Sequence, residues 1–317
     1  MKEDPPIVTV ILTVYRRTRF LSEALASAQA QTLSALEIIV ADDSDCQDIR
    51  SICDSFQDPR IRYRANPFTL GVAMNLRAAI GEAKGKYIAI LNDDDAWEAD
   101  FLEKLVTPLE EDPALPLAFS DHWIMSEDGR IDQRLTEENS ARYGRKLLPR
   151  GTVANFEDFV LLTNGVPLAM ASLFRRGAFD LDWLVQDVGG AYDFWISCLI
   201  AASGRSAFYV PERLTRYRIH TAMETGRKAP DKSENMTFIY QTLLRMEAFP
   251  RQRSWLTKRS AGALYRNGRD KLYFNFVSEA RTSFIQSLKT SAGHKSIIGL
   301  IVSYLPKEWR RTLRFSM

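Results

Sequence analysis

The stretch YIAILNDDDAW, residues 87–97, joins an apolar segment of strand length to three consecutive carboxylates, and it decides the predicted fold. Such an apolar run is typical of a parallel strand buried on both faces, and ligands gather beyond the carboxyl ends of such strands. Acids placed there repel one another unless a cation lies between them. Mg²⁺ and Mn²⁺ take carboxylate oxygens and share the rest of their shell with phosphates. The stretch therefore predicts a cation site at a strand end; a solvated turn that caps the next helix is the alternative.

The residues before this stretch alternate between strand-like and helix-like segments. The apolar runs at residues 7–12, 36–41 and 61–64 are predicted strands. Between the first two runs, apolar residues recur at the i, i+3, i+4 and i+7 spacing of an amphipathic helix, namely Leu21, Ala24, Leu25 and Ala28. This alternation predicts an α/β fold with a mostly parallel sheet and right-handed crossovers.

Polar side chains follow three of the predicted strands. Asp43 follows the second strand, Tyr15 follows the first, and Asp93 and Asp94 follow the fourth. Because the carboxyl ends of parallel strands share one edge, we expect Asp43 to bind a base or ribose and Tyr15 to lie against a base ring. We expect Asp93 and Asp94 to hold a ribose and a metal-bound diphosphate. A glycine-rich phosphate loop follows none of the strands, so metal and basic side chains would neutralise the diphosphate.

The composition is that of an ordinary globular chain. It has 317 residues, 45% hydrophobic and 26% charged, with a net charge of +2, which gives no reason to expect nucleic acid as a partner. Three cysteines without metal-like spacing indicate a reducing compartment. There is no predicted signal peptide and no apolar stretch of about 20 residues. We therefore expect a cytoplasmic protein, with peripheral contact to the membrane face as an alternative.

Three segments carry a family resemblance: VTVILTVYRR at residues 8–17, SAQAQTLSALEIIVADDS at residues 27–44, and GKYIAILNDDDAWEADFLEKL at residues 85–105. In this order and spacing, over roughly the first 125 residues, the chain resembles a family 2 glycosyltransferase. The resemblance implies the GT-A fold, the Rossmann-like fold of nucleotide-diphospho-sugar transferases. It consists of a mostly parallel sheet flanked by helices, here with a helical C-terminal appendage.

The resemblance implies a nucleotide site on the first strands. In that family, the positions of Thr13 and Tyr15 frame the nucleobase, Asp43 binds it, usually as uracil, and Asp93 contacts the ribose. One departure from the family is Arg16, which replaces a common asparagine. A guanidinium at this position reaches a phosphate in one interpretation and is a solvated surface group in the other.

The resemblance also implies a metal site. Asp94, with Asp95, would coordinate Mn²⁺ or Mg²⁺ bridging the diphosphate of the donor. Asn92 stands where the family often has its first aspartate. In the closing strand, His220 would complete the metal shell or contact the diphosphate, or be a surface histidine, and Arg218 would pair with phosphate.

Two acids are candidates for the catalytic base. Family members usually have a Glu-Asp pair where this chain has Gly190-Ala191. The base that activates the acceptor hydroxyl in an inverting displacement is then Asp193, which we favour, or Asp187. The alternative for Asp193 is an acid that complements the dipole at a helix N-terminus.

The remaining segments contribute coarser predictions. Residues 131–150 are polar and basic and are predicted to form a loop, either mobile near the acceptor or simply solvated. Residues 168–174 are predicted to form a strand. We place a transferase domain at residues 1–226 and a helical region at residues 227–317. The apolar segment 297–306 precedes basic residues, a composition typical of a segment at a membrane surface; a helix packed on the core is the alternative.

The sequence thus predicts a metal-dependent, inverting glycosyltransferase. It would move a sugar from a nucleotide sugar, with UDP favoured, to a hydroxyl of a saccharide or lipid-linked acceptor in the assembly of a surface or secreted polysaccharide. One alternative is a catalytically inactive module that binds nucleotide sugars, since the usual catalytic pair is absent. Another is a nucleotidyltransferase, although such enzymes carry a glycine-rich basic loop where this chain has Thr13-Val14-Tyr15.

Overall fold

The computed structural model describes residues 5–221, 230–291 and 293–313. The chain forms two compact units. The first comprises Met1–Gln186 with Tyr192–Met223, and the second comprises Asp187–Ala191 with Glu224–Met317. The predicted boundary between residues 226 and 227 falls in the segment 222–229, which lies outside the described residues, so the division into domains stays a prediction.

One mixed sheet forms the centre of the first unit. Among the described residues it has nine strands, which are β1 (Val8–Val14), β2 (Leu36–Asp42), β3 (Ile61–Ala65), β4 (Tyr87–Asn92), β5 (Ala96–Trp97), β6 (Leu117–Met125), β7 (Gly151–Thr152), β8 (Ser172–Arg175) and β9 (Phe208–Arg218). Their order is β3-β2-β1-β4-β8-β6-β9-β5, and β7 pairs with β9. The predicted mostly parallel α/β sheet is confirmed.

The parallel half of the sheet brings three strand ends together. β1 lies between β2 and β4 and is parallel to both. In this register Val14 is opposite Asp42, and Thr13 is opposite Asn92. The residues that follow β1, β2 and β4 therefore emerge side by side at one edge, as the sequence predicts.

Eight α-helices of the described part of the first unit flank this sheet: α1 (Leu21–Gln29), α2 (Gln47–Ser55), α3 (Val72–Glu82), α4 (Phe101–Glu111), α5 (Gln133–Arg142), α6 (Phe156–Asp158), α7 (Leu168–Ala171) and α8 (Tyr192–Ala201). Helices α1, α2 and α4 share a core with one face of β1. The predicted inner face of α1 is confirmed, because its buried residues are Leu21, Ala24, Leu25 and Ala28.

Two segments differ from their predictions. The predicted strand at residues 168–174 begins as the helical turn α7, in which Ala171 N donates to Pro167 O at 2.9 Å, before β8 starts. A buried helical turn and a buried strand can have the same short apolar run, so this sequence pattern does not separate them. The predicted loop at residues 131–150 contains α5, whose inner face is the polar pair Thr136 and Ser140. Hydrophobic periodicity does not detect a helix that buries hydroxyl groups.

The described helices of the second unit are α9 (Pro230–Arg245), α10 (Arg253–Tyr273), α11 (Val277–Thr290), α12 (His294–Ser303) and α13 (Lys307–Leu313). Phe284 of α11 is buried with Leu272, Ala280 and Val302. Gly268 and Gly299 allow this packing, since a Cβ at either position would lie within 3 Å of the Phe284 ring. None of the helices in the described ranges is long and apolar enough to cross a bilayer.

Candidate active site

The predicted site residues of the first three strand ends lie at one edge of the sheet. Asp43 follows β2 directly, and its backbone N–H donates to Val14 O of β1 at 2.9 Å. Asp93 and Asp94 follow β4, the neighbour of β1 on its other side. The structure thus brings together carboxylates that are 50 residues apart in sequence around the end of one strand.

Asp43 is buried and organises the loop that follows β3. Its Oδ1 accepts hydrogen bonds from Asn66 Nδ2 at 2.7 Å and Leu70 N at 2.8 Å, and its Oδ2 accepts one from Gly71 N at 2.8 Å. Gly71 has a φ of 83°, a conformation that favours glycine. These bonds fix the carboxylate and leave capacity on Oδ2 for one more donor, and the contact to a base stays a prediction.

Tyr15 is an exposed aromatic at the end of β1. Its residue surface is 45% exposed, and the Arg16 guanidinium lies 5.1 Å from its ring centre. Arg16 adopts a left-handed φ of 56° and its N–H donates to Ser44 Oγ at 3.1 Å, which ties this turn to the end of β2. The ring is available for stacking, while the role of Arg16 stays a prediction.

A cation does lie between the acids that follow β4, and it is the side chain of Arg17. Its Nε donates to Asp93 Oδ2 at 3.0 Å, its Nη2 donates to Asp93 Oδ1, and its Nη1 donates to Asp94 Oδ2 at 3.1 Å. Arg17 is not among the predicted site residues. The signal that could have found it is its position shortly after β1, because residues that follow parallel strands share one edge of the sheet.

The three acids have different surroundings. Burial raises the pKa of Asp93 to about 7; the Arg17 guanidinium opposes this effect and the Asp94 carboxylate adds to it. Burial, together with Asp94, raises the pKa of Asp95 well above its usual range. Asp95 Oδ2 accepts a hydrogen bond from Asn92 Nδ2 at 2.8 Å, and Asp95 Oδ1 accepts one from the backbone N–H of Arg218 at 2.9 Å. In this structure both oxygens of Asp95 hold the turn together, and its place among the metal ligands stays a prediction.

Asp94 and His220 form a pair of potential metal ligands. His220 Nε2 lies 3.0 Å from Asp94 Oδ2, and its side chain is almost buried, with its ring 5.3 Å from that of Phe20. A carboxylate oxygen and an imidazole nitrogen suit Mn²⁺. No group of three or more histidine, cysteine or acidic residues that could hold a metal occurs in the described part of the chain. The pair therefore fits a cation that takes the rest of its shell from phosphates and water.

Arg218, which was predicted to pair with phosphate, has its guanidinium in contact with groups of the protein itself, and the phosphate contact stays a prediction. Its guanidinium is buried, pairs with Glu23 at 2.6 Å and lies over the Phe20 ring. Its Nε donates to Asp94 O at 2.9 Å, and its Nη1 donates to Glu127 O at 3.1 Å. These contacts occupy the side chain inside the protein, so Arg218 positions the acidic turn.

The two candidate bases lie in different units. Asp193 belongs to the first unit, at the start of α8, and Phe194 N donates to its Oδ1 at 2.7 Å. Burial raises its pKa. The preceding Tyr192 hydroxyl is 3.4 Å from Asn92 Oδ1, which places the start of α8 beside the end of β4. Asp187 belongs to the second unit, where its carbonyl accepts a hydrogen bond from Asn235 Nδ2 at 2.8 Å.

A second polar cluster, the sheet cluster, comprises Asp121, Asn139, Ser140 and Arg145. Arg145 Nε donates to Asp121 Oδ1 at 2.8 Å, and Ser140 Oγ donates to Asp121 Oδ2 at 2.5 Å. A cavity of about 480 Å³ adjoins this cluster and is lined by none of the predicted site residues. Next to it, burial and the Arg145 charge lower the pKa of His122 to about 3, so this histidine is neutral and internal.

Comparison with known proteins identifies the family. Residues 9–179 match the model of the glycosyl transferase family 2. An uncharacterized glycosyltransferase of Haemophilus influenzae is 26% identical over 252 residues, covering 74% of this chain and 75% of the relative. A second such protein, from Methanocaldococcus jannaschii, is 29% identical over 220 residues, covering 68% of this chain and 72% of the relative.

A characterised relative and two solved structures extend the comparison. An Escherichia coli UDP-Glc:α-D-GlcNAc-diphosphoundecaprenol β-1,3-glucosyltransferase is 31% identical over 104 residues, covering 33% of this chain and 41% of the relative. Staphylococcus aureus TarS residues 1–349, solved with UDP-GlcNAc, superposes with a TM-score of 0.64 at 13% identity, covering 96% of this chain and 91% of that one. The mannosyltransferase PcManGT of Pyrobaculum calidifontis, solved with GDP-Man and Mn²⁺, superposes with a TM-score of 0.57 at 18% identity. This match covers 99% of this chain and 84% of PcManGT. The structural likeness gives the GT-A fold, and the family match shows that this chain is a glycosyltransferase belonging to family 2.

Proposed function

We propose that the protein transfers a sugar from a nucleotide sugar to an acceptor hydroxyl, with a divalent cation and with inversion at the sugar. The observation that carries this proposal is the donor pair of Asp94 Oδ2 and His220 Nε2, 3.0 Å apart, at the same sheet edge as Asp43 and Tyr15. A nucleotide lying along this edge has its base near Tyr15 and its diphosphate near Asp94. Asp93, one residue earlier, is then the residue nearest the ribose.

Asp94 and His220 are the residues that would hold Mn²⁺ or Mg²⁺. When bound, the cation stabilises the negative charge that develops on the departing nucleoside diphosphate. The contribution of the chain is to present one carboxylate oxygen and one imidazole nitrogen, with Arg218 holding the backbone of the acidic turn in place.

UDP is the proposed nucleotide. The fold neighbour TarS was solved with UDP-GlcNAc, and the related E. coli enzyme is named for UDP-Glc, which supports a uridine donor. PcManGT was solved with GDP-Man, so a panel of donors is needed to test the base.

Asp193 is the proposed general base. It lies at the start of α8 beside the end of β4, and burial raises its pKa, which makes the carboxylate a better proton acceptor. A positioned base accelerates such a transfer by about 10²–10⁴-fold, because an alcohol is a weak nucleophile. Asp187 is the alternative base.

A saccharide or lipid-linked acceptor in polysaccharide assembly is the proposed target, at the cytoplasmic face of the membrane. The relatives include the Rhizobium meliloti succinoglycan biosynthesis protein ExoO and the E. coli enzyme named for a diphosphoundecaprenol substrate. In the proposed division, residues 1–226 carry the transferase and residues 227–317 the membrane contact.

The proposed membrane contact is an apolar face of α12. The exposed large residues of α12 are Ile297, Ile298 and Ile301, and Tyr304, directly after the helix, is exposed as well. Basic residues that flank this face, such as Lys295 and Lys307, favour anionic lipid. Cosedimentation with phosphatidylglycerol vesicles, but not with phosphatidylcholine vesicles, is the expected result. Equal recovery of wild type and Ile301→Asp with the anionic vesicles would exclude this face.

The decisive experiment measures release of nucleoside diphosphate from a panel of nucleotide sugars, with and without Mn²⁺. We expect Asp94→Ala to abolish metal-dependent donor binding, and Asp193→Ala to bind the donor and lose turnover. Full activity of Asp193→Ala moves the base to Asp187. Donor binding without turnover in the wild type indicates a binding module, and release of pyrophosphate indicates a nucleotidyltransferase.

A further inference from the structure

The oxygen proposed to bind a cation already has a cationic partner. Asp94 Oδ2 lies 3.0 Å from His220 Nε2 and accepts a hydrogen bond from Arg17 Nη1 at 3.1 Å. A cation bound to Asp94 and His220 would lie beside a guanidinium of the same sign, and the two charges repel at such short range. Arg17 and a divalent cation therefore compete for one carboxylate.

Few contacts hold Arg17 in place. Within the described residues, the hydrogen bonds of its guanidinium go to Asp93 and Asp94, and its side chain is 40% exposed. The residue follows the sheet strand β1, in the turn where Arg16 adopts a left-handed φ. Arg218, by contrast, is buried and bonded to two backbone carbonyls. Arg17 can leave the acids without disturbing the sheet.

A diphosphate is the ligand most able to draw Arg17 away. Guanidinium groups bind phosphate oxygens through paired N–H donors, as Arg17 binds Asp93 here. The donor would bring both its own negative charge and its cation to this edge. Arg17 would then leave Asp94 Oδ2 free for the cation, and its guanidinium would gain phosphate oxygens as acceptors.

We propose that Arg17 is an exchangeable counter-charge: it holds Asp93 and Asp94 and excludes the divalent cation until a nucleoside diphosphate arrives, and then moves to the diphosphate. This inference rests on the proposed donor site. It makes Arg17 a positioning residue that couples cation binding to nucleotide binding, so that the two ligands bind together more tightly than either binds alone.

The test measures Mn²⁺ affinity by electron paramagnetic resonance of the free ion, on the full chain without nucleotide. We expect Arg17→Gln to bind Mn²⁺ about tenfold more tightly than wild type, within the usual range of coupling between sites. Arg17→Lys keeps the charge and is expected to shift the affinity less. Arg19→Gln is the matched control, because it removes the same charge from the same loop, where Arg19 pairs with Glu127; its Mn²⁺ affinity should stay at that of wild type.

A second titration with saturating UDP measures the coupling itself. Wild type is expected to gain Mn²⁺ affinity when UDP is present, and Arg17→Gln to gain distinctly less. If Arg17→Gln binds Mn²⁺ without UDP no more tightly than wild type does, the proposed exchange of Arg17 for the cation is wrong. This holds even if Asp94→Asn abolishes Mn²⁺ binding, a result that would support the metal site itself. If Asp94→Asn binds Mn²⁺ like wild type, both the metal site and the exchange are wrong. Absence of sugar transfer alone refutes only the proposed activity.

Discussion

Two clusters in the first unit pair arginine with aspartate in opposite surroundings. In the cleft cluster, which comprises Arg17, Asp93, Asp94 and His220, the arginine side chain is 40% exposed, although that of Asp93 is 2% exposed. In the sheet cluster, the side chains of Arg145 and Asp121 are 2% and 5% exposed. Arg145 also donates to Gly165 O at 3.0 Å and to Asn139 Oδ1, and Asp121 accepts from Ser140.

The difference lies in which groups hold each arginine. The fold supplies Arg145 with a carboxylate, a carbonyl and an amide from three separate segments, so a change of partner would leave buried groups unpaired. Arg17 depends on the two acids at the proposed cation site. The same pairing chemistry thus fixes the structure in the sheet cluster and leaves an exchangeable charge in the cleft cluster.

The largest expected effect is on stability, in the sheet cluster. Arg145→Met leaves the buried Asp121 with the hydrogen bond from Ser140 and with the Arg213 guanidinium at 3.8 Å. We expect a loss of about 3–5 kcal/mol in the free energy of unfolding, measured with urea, because a buried charge loses its partner. Arg150→Gln, which breaks the exposed pair with Glu212, is the control and should cost about 1 kcal/mol or less. Equal losses in the two variants would contradict the distinction.

Substitutions of Asp95 and Asp94 should differ in their effects: the first should mainly reduce stability and the second mainly reduce donor affinity. Asp95→Ala leaves the partly buried donor Asn92 Nδ2 and the buried donor Arg218 N without their acceptor. At roughly 1–3 kcal/mol for each unpaired buried group, we expect a loss of about 2–4 kcal/mol in the free energy of unfolding. Asp94→Ala should lose less stability and more donor affinity. The reverse ranking in urea unfolding and donor titration would return Asp95 to the metal site.

His122, beside the sheet cluster, should make stability depend on pH. Its pKa is about 3 in the folded protein and near 6.5 in the unfolded chain, so the unfolded state binds more protons between these values. The contribution of His122 is complete above pH 6.5 and is lost as the pH falls towards 3. We expect wild type to lose about 2 kcal/mol more than His122→Gln between pH 6 and pH 4, in urea unfolding. Parallel pH curves would contradict a buried neutral histidine.

The smallest expected effect is the loss of stability in the cleft cluster. Arg17→Gln takes the guanidinium away from Asp93, whose side chain is 2% exposed, but the side chain of Arg17 itself is 40% exposed, so water can replace it. We therefore expect a loss of about 1–2 kcal/mol in the free energy of unfolding. Urea unfolding of the variant should therefore show a smaller loss of stability than that of Arg145→Met. A loss as large as that of Arg145→Met would mean that Arg17 is a structural residue.

Much of the parallel half could be predicted because its signals are local. The apolar runs of β1, β2 and β4 and the inner face of α1 follow directly from hydrophobic spacing, and acids after two strands mark the shared edge. Helix α5 could not be predicted in this way, because it packs hydroxyl groups against the sheet. Its capping residue Asp132, which accepts a hydrogen bond from Leu135 N, was the available sign.

The partners of the acids could not be predicted from spacing. Arg17 and Asp93 are 76 residues apart, and Arg218 and Asp94 are 124 apart, so only the three-dimensional order of strands brings them together. The sequence also gives no measure of burial. Burial is the reason that Arg218 and Asp95 hold the turn while Arg17 and Asp94 remain accessible.

The proposed mechanism requires Asp94 and His220 to hold a divalent cation at the strand edge while a nucleoside diphosphate lies across it. Anomalous diffraction at the manganese edge, from crystals grown with UDP and Mn²⁺, tests this most directly. We expect one strong peak bonded to Asp94 Oδ2 and His220 Nε2, with the Arg17 guanidinium turned to the diphosphate. UDP bound at this edge with Arg17 still on both acids and no peak beside them would contradict the account.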